Sequence, residues 1–159
     1  RGGGVSGAGP PAPRPAREAD AAAMARIARA AYAPYVTEIG FEPPPMVQDF
    51  PAAIAAGRSW VIGEPLLGFV VAYSIGADWH IENVAVDRHA QGRGIGRALI
   101  AAAEAEGRAR GHARVVLYTN AAMRPNLTLY PRLGYARTAR RVEHGLDRVY
   151  FEKRLEPEP

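Results

Sequence analysis

The sequence predicts an α+β or mixed α/β domain in which helices cover the faces of one sheet. Three observations carry this. The chain opens with a stretch of helical periodicity, and its middle holds β-rich runs bounded by glycine and proline turns. A strand–helix–strand succession then precedes a closing pair of strands.

Residues 1–15 are glycine and proline with little to bury, so they read as a flexible segment ahead of a single domain at 16–159. Asp20 suits the N-cap of a helix that places Met24, Ile27, Ala28 and Ala31 on one face. Pro34 limits that helix, and Gly40 with Pro43-Pro44-Pro45 makes an irregular connection. A short helix fits Asp49 to Ala56, with Pro51 tolerated in its first turn and Gly57 at its end. Ser59–Ile62 and Leu66–Ser74, separated by Gly63-Glu64-Pro65, read as a hairpin. His80–Val86 is a third strand, and a helix runs from about Gly94 to Arg110. Arg114–Thr119 is another strand, Arg124–Leu133 a helix, and Tyr135–Val142 with Asp147–Leu155 a closing hairpin.

Composition narrows the chemistry. At 159 residues and 48% apolar content the chain can bury a core without staples. It has no cysteine, which excludes disulfides, a thiol nucleophile and thiolate metal sites. The histidines (His80, His89, His112, His144) lack ligand spacing, so no metal is expected. No apolar run nears the roughly 18 residues that span a bilayer, and Arg1–Pro15 has no apolar signal segment. The expectation is a cytoplasmic protein without a membrane partner. The net charge of +4 suits an anionic cofactor as well as nucleic acid. All basic residues but Lys153 are arginine, and they are scattered rather than clustered, so no nucleic-acid partner is expected.

The most informative stretch is Val84-Ala85-Val86-Asp87-Arg88-His89-Ala90-Gln91-Gly92-Arg93-Gly94-Ile95-Gly96-Arg97. A buried strand enters a loop with glycines at alternate positions, and the loop opens a helix. Such glycines let backbone N–H groups approach an anion, and the helix N-terminus adds unpaired donors and partial positive charge. Arg93 and Arg97 can add countercharge. The pattern is not a mononucleotide P-loop, because no lysine follows the glycines. Nor is it the dinucleotide fingerprint, whose third glycine would fall on Arg97. A glycine-rich turn that merely starts a helix is the plainer alternative.

Gln91-Gly92-Arg93-Gly94-Ile95-Gly96 resembles the Q/R-x-x-G-x-G/A motif of the GNAT-type N-acetyltransferases. The resemblance extends to Glu82–Asp87, Leu117–Asn120, Asn126, Tyr130, Leu133-Gly134-Tyr135 and the closing Arg148–Leu155, over roughly residues 16–155. The family's first strand is reduced here to a Pro-rich stretch around Arg14–Arg17. The resemblance implies a mixed, mostly antiparallel sheet of about six or seven strands, flanked by about four helices and splayed at the central strands. It further implies acetyl-CoA as acyl donor, with its pantetheine arm paired to the backbone of Val84, Ala85 and Val86. Gln91, Gly92, Arg93, Gly94, Ile95, Gly96 and Arg97 would hold its pyrophosphate. A homodimer is common in the family, though no residue here points to one.

Acetyl transfer from a thioester to an amine needs a base for the amine, donors for the oxyanion and an acid for the departing thiolate. With no cysteine to carry an acyl group, direct attack is the economical route. Glu82 and His80 lie two residues apart on one strand, hence on one face, and Glu82 is the preferred base, directly or through water. Both residues also suit a solvated strand or a structural hydrogen-bond network. A phenol with an ordinary pKa near 10 stays protonated at neutral pH, so Tyr130 suits the acid. Asn126 shares its helical face, which by resemblance meets the cofactor; packing with Leu127 and Leu133 is the alternative for Tyr130. A backbone N–H near Val84 is the expected oxyanion donor. Tyr32, Tyr35, Phe41 and Met46 fall in the segment that lines the acceptor side in the family, with Trp60, Tyr73 and Trp79 as further candidates. Nothing selects among an amino acid, a polyamine, an antibiotic amine and a protein terminus. A non-catalytic acyl-CoA-binding sensor or interaction module is the competing reading.

Overall fold

The computed structural model describes residues 11–157. In chain order the elements are β1 (Arg14–Pro15), α1 (Ala21–Tyr32), α2 (Val36–Ile39), α3 (Phe50–Ala55), β2 (Ser59–Ile62), β3 (Gly68–Ile75) and β4 (Asp78–Val86). They continue with α4 (Ile95–Ala109), β5 (Arg114–Asn120), α5 (Arg124–Arg132), β6 (Ala136–Glu143) and β7 (Leu146–Arg154). The seven strands form one sheet in the order β1-β2-β3-β4-β5-β7-β6. Every neighbouring pair is antiparallel except β4 with β5. Mixed α/β architecture, the hairpins and the strand–helix–strand unit all appear where the sequence places them. Among the described residues no helix is long and apolar enough to cross a membrane.

The chain start differs in detail. Residues 1–10 of the segment read as flexible lie outside the described residues. Arg14 and Pro15, at its end, pair with Val61 and Trp60 on the outer edge of β2, where a missing proline N–H costs no ladder bond. Asp20 does stand ahead of α1, but its side chain does not cap that helix. Its carboxylate accepts from the Arg17 backbone N–H at 2.7 Å and binds both terminal nitrogens of Arg14, at 2.8 and 3.0 Å. The carboxylate thereby pins the short strand to the helix instead. Asp49 behaves as expected and accepts from the N–H of Ala52 at 3.1 Å.

Strand periodicity builds two cores. On β3, Phe69 and Val71 face a layer with Met24, Ile27 and Phe50 of α1 and α3. Val70 and Ala72 face the opposite layer, with Leu99, Ile100 and Ala103 of α4. Strand β4 does not keep one alternation along its length. Val71 pairs with Asn83 and Ala72 with Ile81, so Glu82 is an extra residue, a β-bulge. Trp79 and Ile81 therefore face α4, whereas Ala85, of the same parity, faces α1.

Close packing of α4 on the sheet rests on missing side chains. Trp79 is fully buried and donates its indole N–H to the carbonyl of Ala103 at 2.8 Å. A Cβ on Gly107 would stand 2.8 Å from Trp79 Cδ1 and 2.9 Å from Cγ. Helix propensity alone would favour alanine at position 107 by about 1 kcal/mol. The collision is expected to reverse that sign, so Gly107→Ala should lower stability by about 1–3 kcal/mol. Chemical denaturation checks this, and a more stable Gly107→Ala protein would contradict the packing.

Candidate active site

Strand β4 and α4 create the site by what they leave unpaired. Parallel pairing of β4 with β5 is confined to Trp79 with Val115 and His80 with Val116. From Ile81 to Val86 the β4 edge has no ladder partner on that side, while β5 continues its pairing with β7 to Asn120. The sheet is thus split, as the family resemblance implied. Beyond β4, Asp87 accepts from the N–H of His89 at 2.9 Å and turns the chain toward α4. Gly92 and Gly94 both hold positive φ, at 80° and 78°, a region glycine occupies without steric cost. Gly94 is the N-cap, and no side chain of a described residue caps the helix. The first helical bond is Ala98 N–H to Gly94 C=O at 3.0 Å, which leaves the N–H groups of Ile95, Gly96 and Arg97 without helical partners.

Two cavities open along this split. The larger, about 480 Å³, is lined by Val84–Val86, by Gln91, Gly92, Gly94, Ile95, Gly96 and Arg97, and by one face of α5. It suits an elongated anionic ligand with its phosphates on the helix terminus. The second, about 280 Å³, lies between the Pro43–Pro45 loop, the bulge at Glu82 and the β5–β7 surface. Val84, Met123, Asn126 and Tyr130 line both cavities, so the two meet at these four residues.

Most of the cofactor residues read from sequence converge here, and Arg93 does not: it is exposed and absent from the cavity walls. Arg132, at the end of α5, lines the cleft and has no signal in the sequence to mark it. The acceptor residues are more dispersed. Tyr32 lines the smaller cavity, but Tyr35 lines the larger one. Met46 is 6% exposed in the core beneath α1, because the Pro43–Pro45 turn directs it inward. Phe41 is 43% exposed and lies beside Gly145 of the β6–β7 turn, away from both cavities. Trp60 and Trp79 are packed against each other, with Trp79 in the core.

Of the two bases considered, the bulge brings Glu82 into the cavity wall, whereas His80 is buried outside it between Tyr73 and Tyr118, with ring centroids at 5.4 and 5.7 Å. Burial lowers the His80 pKa, with Glu82 opposing the shift, so the imidazole is neutral at pH 7. Asn83, turned by the bulge toward α1, accepts from the Tyr32 hydroxyl at 2.9 Å. Its amide donates to the Pro45 carbonyl and to Gln48, each at 2.9 Å. This bonding ties the proline loop to the bulge and gives the small cavity a firm wall.

Asn126 donates to Thr119 Oγ1 at 3.0 Å, which bridges α5 to β5. One turn on, Tyr130 packs on Tyr135 and Phe151 at ring separations of 5.6 Å. The packing alternative for Tyr130 therefore holds for its ring, while its hydroxyl makes no hydrogen bond to a described residue and the side chain lines both cavities. Behind it, Tyr135 donates to Glu104 at 2.7 Å, and Lys153 lies 3.1 Å from the same carboxylate. That buried group anchors the far end of α5 to α4 and β7.

A split sheet stands beside a bare helix N-terminus, with an unpaired strand edge leading to a second cavity, which is the architecture the family resemblance implied. Residues 22–135 match the model of the Acetyltransferase (GNAT) family, and the chain belongs to that family. It is 48% identical over 62 residues to mycothiol acetyltransferase of Cellulomonas flavigena, a match covering 39% of this chain and 18% of that enzyme. The chain thus spans less than a fifth of that relative. The structure of Ard1 from Thermoplasma volcanium superposes with a TM-score of 0.73 at 18% identity, covering 91% of this chain and 97% of that one. PaiA N-acetyltransferase from Thermoplasma acidophilum, crystallised with coenzyme A, gives 0.71 at 15% identity over 89% and 97%. These last two establish the shared fold.

The buried phenols set a pH limit. Burial pushes Tyr130 up to about 12, and burial with the neighbouring Glu82 carboxylate does the same to Tyr73. Tyr32 and Tyr135 are raised further, chiefly by burial. An unfolded chain loses these protons near pH 10, so the folded state binds more protons above that pH. Stability from this source is whole below pH 10 and lost as pH rises through about 12. Melting temperatures should hold to about pH 9 and fall steeply above 10; a flat profile to pH 12 would contradict the burial.

Proposed function

We propose that this chain binds acetyl-CoA and transfers its acetyl group to a primary amine by direct attack. The observation that carries the reading is the meeting of the two cavities at Val84, Met123, Asn126 and Tyr130. One cavity suits the nucleotide and pantetheine, the other the acceptor, and the shared wall is where the reacting atoms belong.

The fit to the cofactor rests on chemistry already on this chain. Open N–H groups at Ile95, Gly96 and Arg97, with the Arg97 side chain, match a pyrophosphate. The free edge at Val84–Val86 matches an extended arm that carries amides, as an added strand would. Bound acetyl-CoA supplies an acetyl thioester, whose carbonyl carbon bonds to the amine nitrogen as its bond to sulfur breaks. Glu82 takes the proton the amine must lose, directly or through a water, and returns it to solvent. Tyr130, held protonated by burial, donates its proton to the departing sulfur and regains one from solvent before the next turnover. The products are the N-acetyl amine and free coenzyme A. Because the chain has no cysteine, no thioester forms on the protein itself.

Release of free thiol from acetyl-CoA across a panel of amines tests the reading. Turnover of at least one amine is expected; tight cofactor binding with no turnover of any would make the chain a sensor instead. Tyr130→Phe should lower kcat at least about tenfold with little change in cofactor affinity, and equal turnover would reduce Tyr130 to packing. Gly94→Val forces a β-branched residue to positive φ at the helix N-cap. It should weaken acetyl-CoA binding by about tenfold or more in calorimetry, and unchanged affinity would remove the phosphate site from α4.

A further inference from the structure

The acceptor cavity holds one cation that the transfer chemistry does not use. Arg148 of β7 lines it, with its side chain only 13% exposed. Its guanidinium stacks on Tyr118 with Cζ 4.3 Å from the ring centroid, which orients the plane of donors. The carboxylate beside it is Glu143, at 3.6 Å from Nη1 to Oε2, too long for a hydrogen bond. The other oxygen of Glu143 accepts from the Tyr150 hydroxyl, so that carboxylate is shared. Arg148 therefore lines the cavity as half of a long ion pair with Glu143, with the Tyr150 hydroxyl also beside it, and keeps donors for a ligand. A guanidinium held in one plane favours a carboxylate, which can meet its donors two at a time.

The charge layout is equally restrictive. Of the residues lining this cavity, Glu82 and Arg148 alone carry formal charge. A polyamine or multiply charged antibiotic would bring several cations to a wall with one carboxylate and one arginine. A molecule with one amine and one carboxylate balances both walls. A volume near 280 Å³ also suits a small acceptor rather than an extended one. Resting on the transferase reading, the geometry points to a small amino acid as acceptor, its amine at Glu82 and its carboxylate against Arg148. Arg148 is then the specificity-determining residue of the acceptor side.

The test measures thiol release from acetyl-CoA for amino acids with the amine α to ε to the carboxylate, each against its own carboxamide. For at least one spacing the acid should exceed the amide by about tenfold or more in kcat/KM. Arg148→Met should bring that ratio close to one, mainly through KM, and Arg148→Lys should restore part of it. Since each ratio is taken within one protein, a loss of folded fraction cancels, and the wild-type ratio stands even if Arg148→Met does not fold. Amides matching acids at every spacing, or polyamines outpacing both, would overturn the inference while leaving the transferase intact. No turnover of any amine with acetyl-CoA bound would overturn the transferase reading instead. The carboxylate site is then judged by calorimetry of the same acids and amides, where equal affinities for wild type would overturn it too.

Discussion

Everything at this site depends on β4 letting go of β5 after only two paired residues. A sheet normally spends its backbone donors and acceptors on neighbouring strands, and leaving them open is a liability unless something else pairs with them. Here the open stretch begins just past His80 and runs toward the terminus of α4, whose first N–H groups are also open. Two sets of unpaired backbone groups thus lie along one cleft. A ligand with amides in its middle and phosphates at its end satisfies both, which is why the fold and the cofactor proposal belong together.

The bulge at Glu82 adds the second half of the site. One extra residue in β4 turns Glu82 into the smaller cavity and sends Asn83 to the α1 side, where Tyr32, Pro45 and Gln48 hold it. A regular strand would have kept Asn83 on the same face as Ile81, beneath α4. The smaller cavity would then lack the bond that fastens its proline wall. Behind α5, the buried Tyr135–Glu104–Lys153 group holds Tyr130 from the other side, so the junction of the two cavities is framed by rigid packing.

Much of this was legible in the residues. The β-rich run of β3, the glycines before α4 and the turn residues at Gly63–Pro65 each carry a local physical signal, and the elements stand where those signals put them. The Asn126–Tyr130 pair was readable because helical spacing alone places both on one face. Other features have no local signature. Arg148 is one arginine among many, and its burial exists only once β5, β6 and β7 are paired. Phe41 and Met46 belong to a loop whose course is decided by prolines and by a long-range bond to Asn83, so aromatic or apolar character could not say which of them meets the cavity. Asp20 has good capping chemistry, but a nearby guanidinium competed for it and won.

The most direct trial of the account is a crystal structure of the chain with coenzyme A. The diphosphate should sit on the N–H groups of Ile95, Gly96 and Arg97, with the pantetheine arm along Val84–Val86 and its sulfur beside Tyr130. A diphosphate bound elsewhere, or β4 and β5 closed together past His80 with the helix terminus bare, would contradict it.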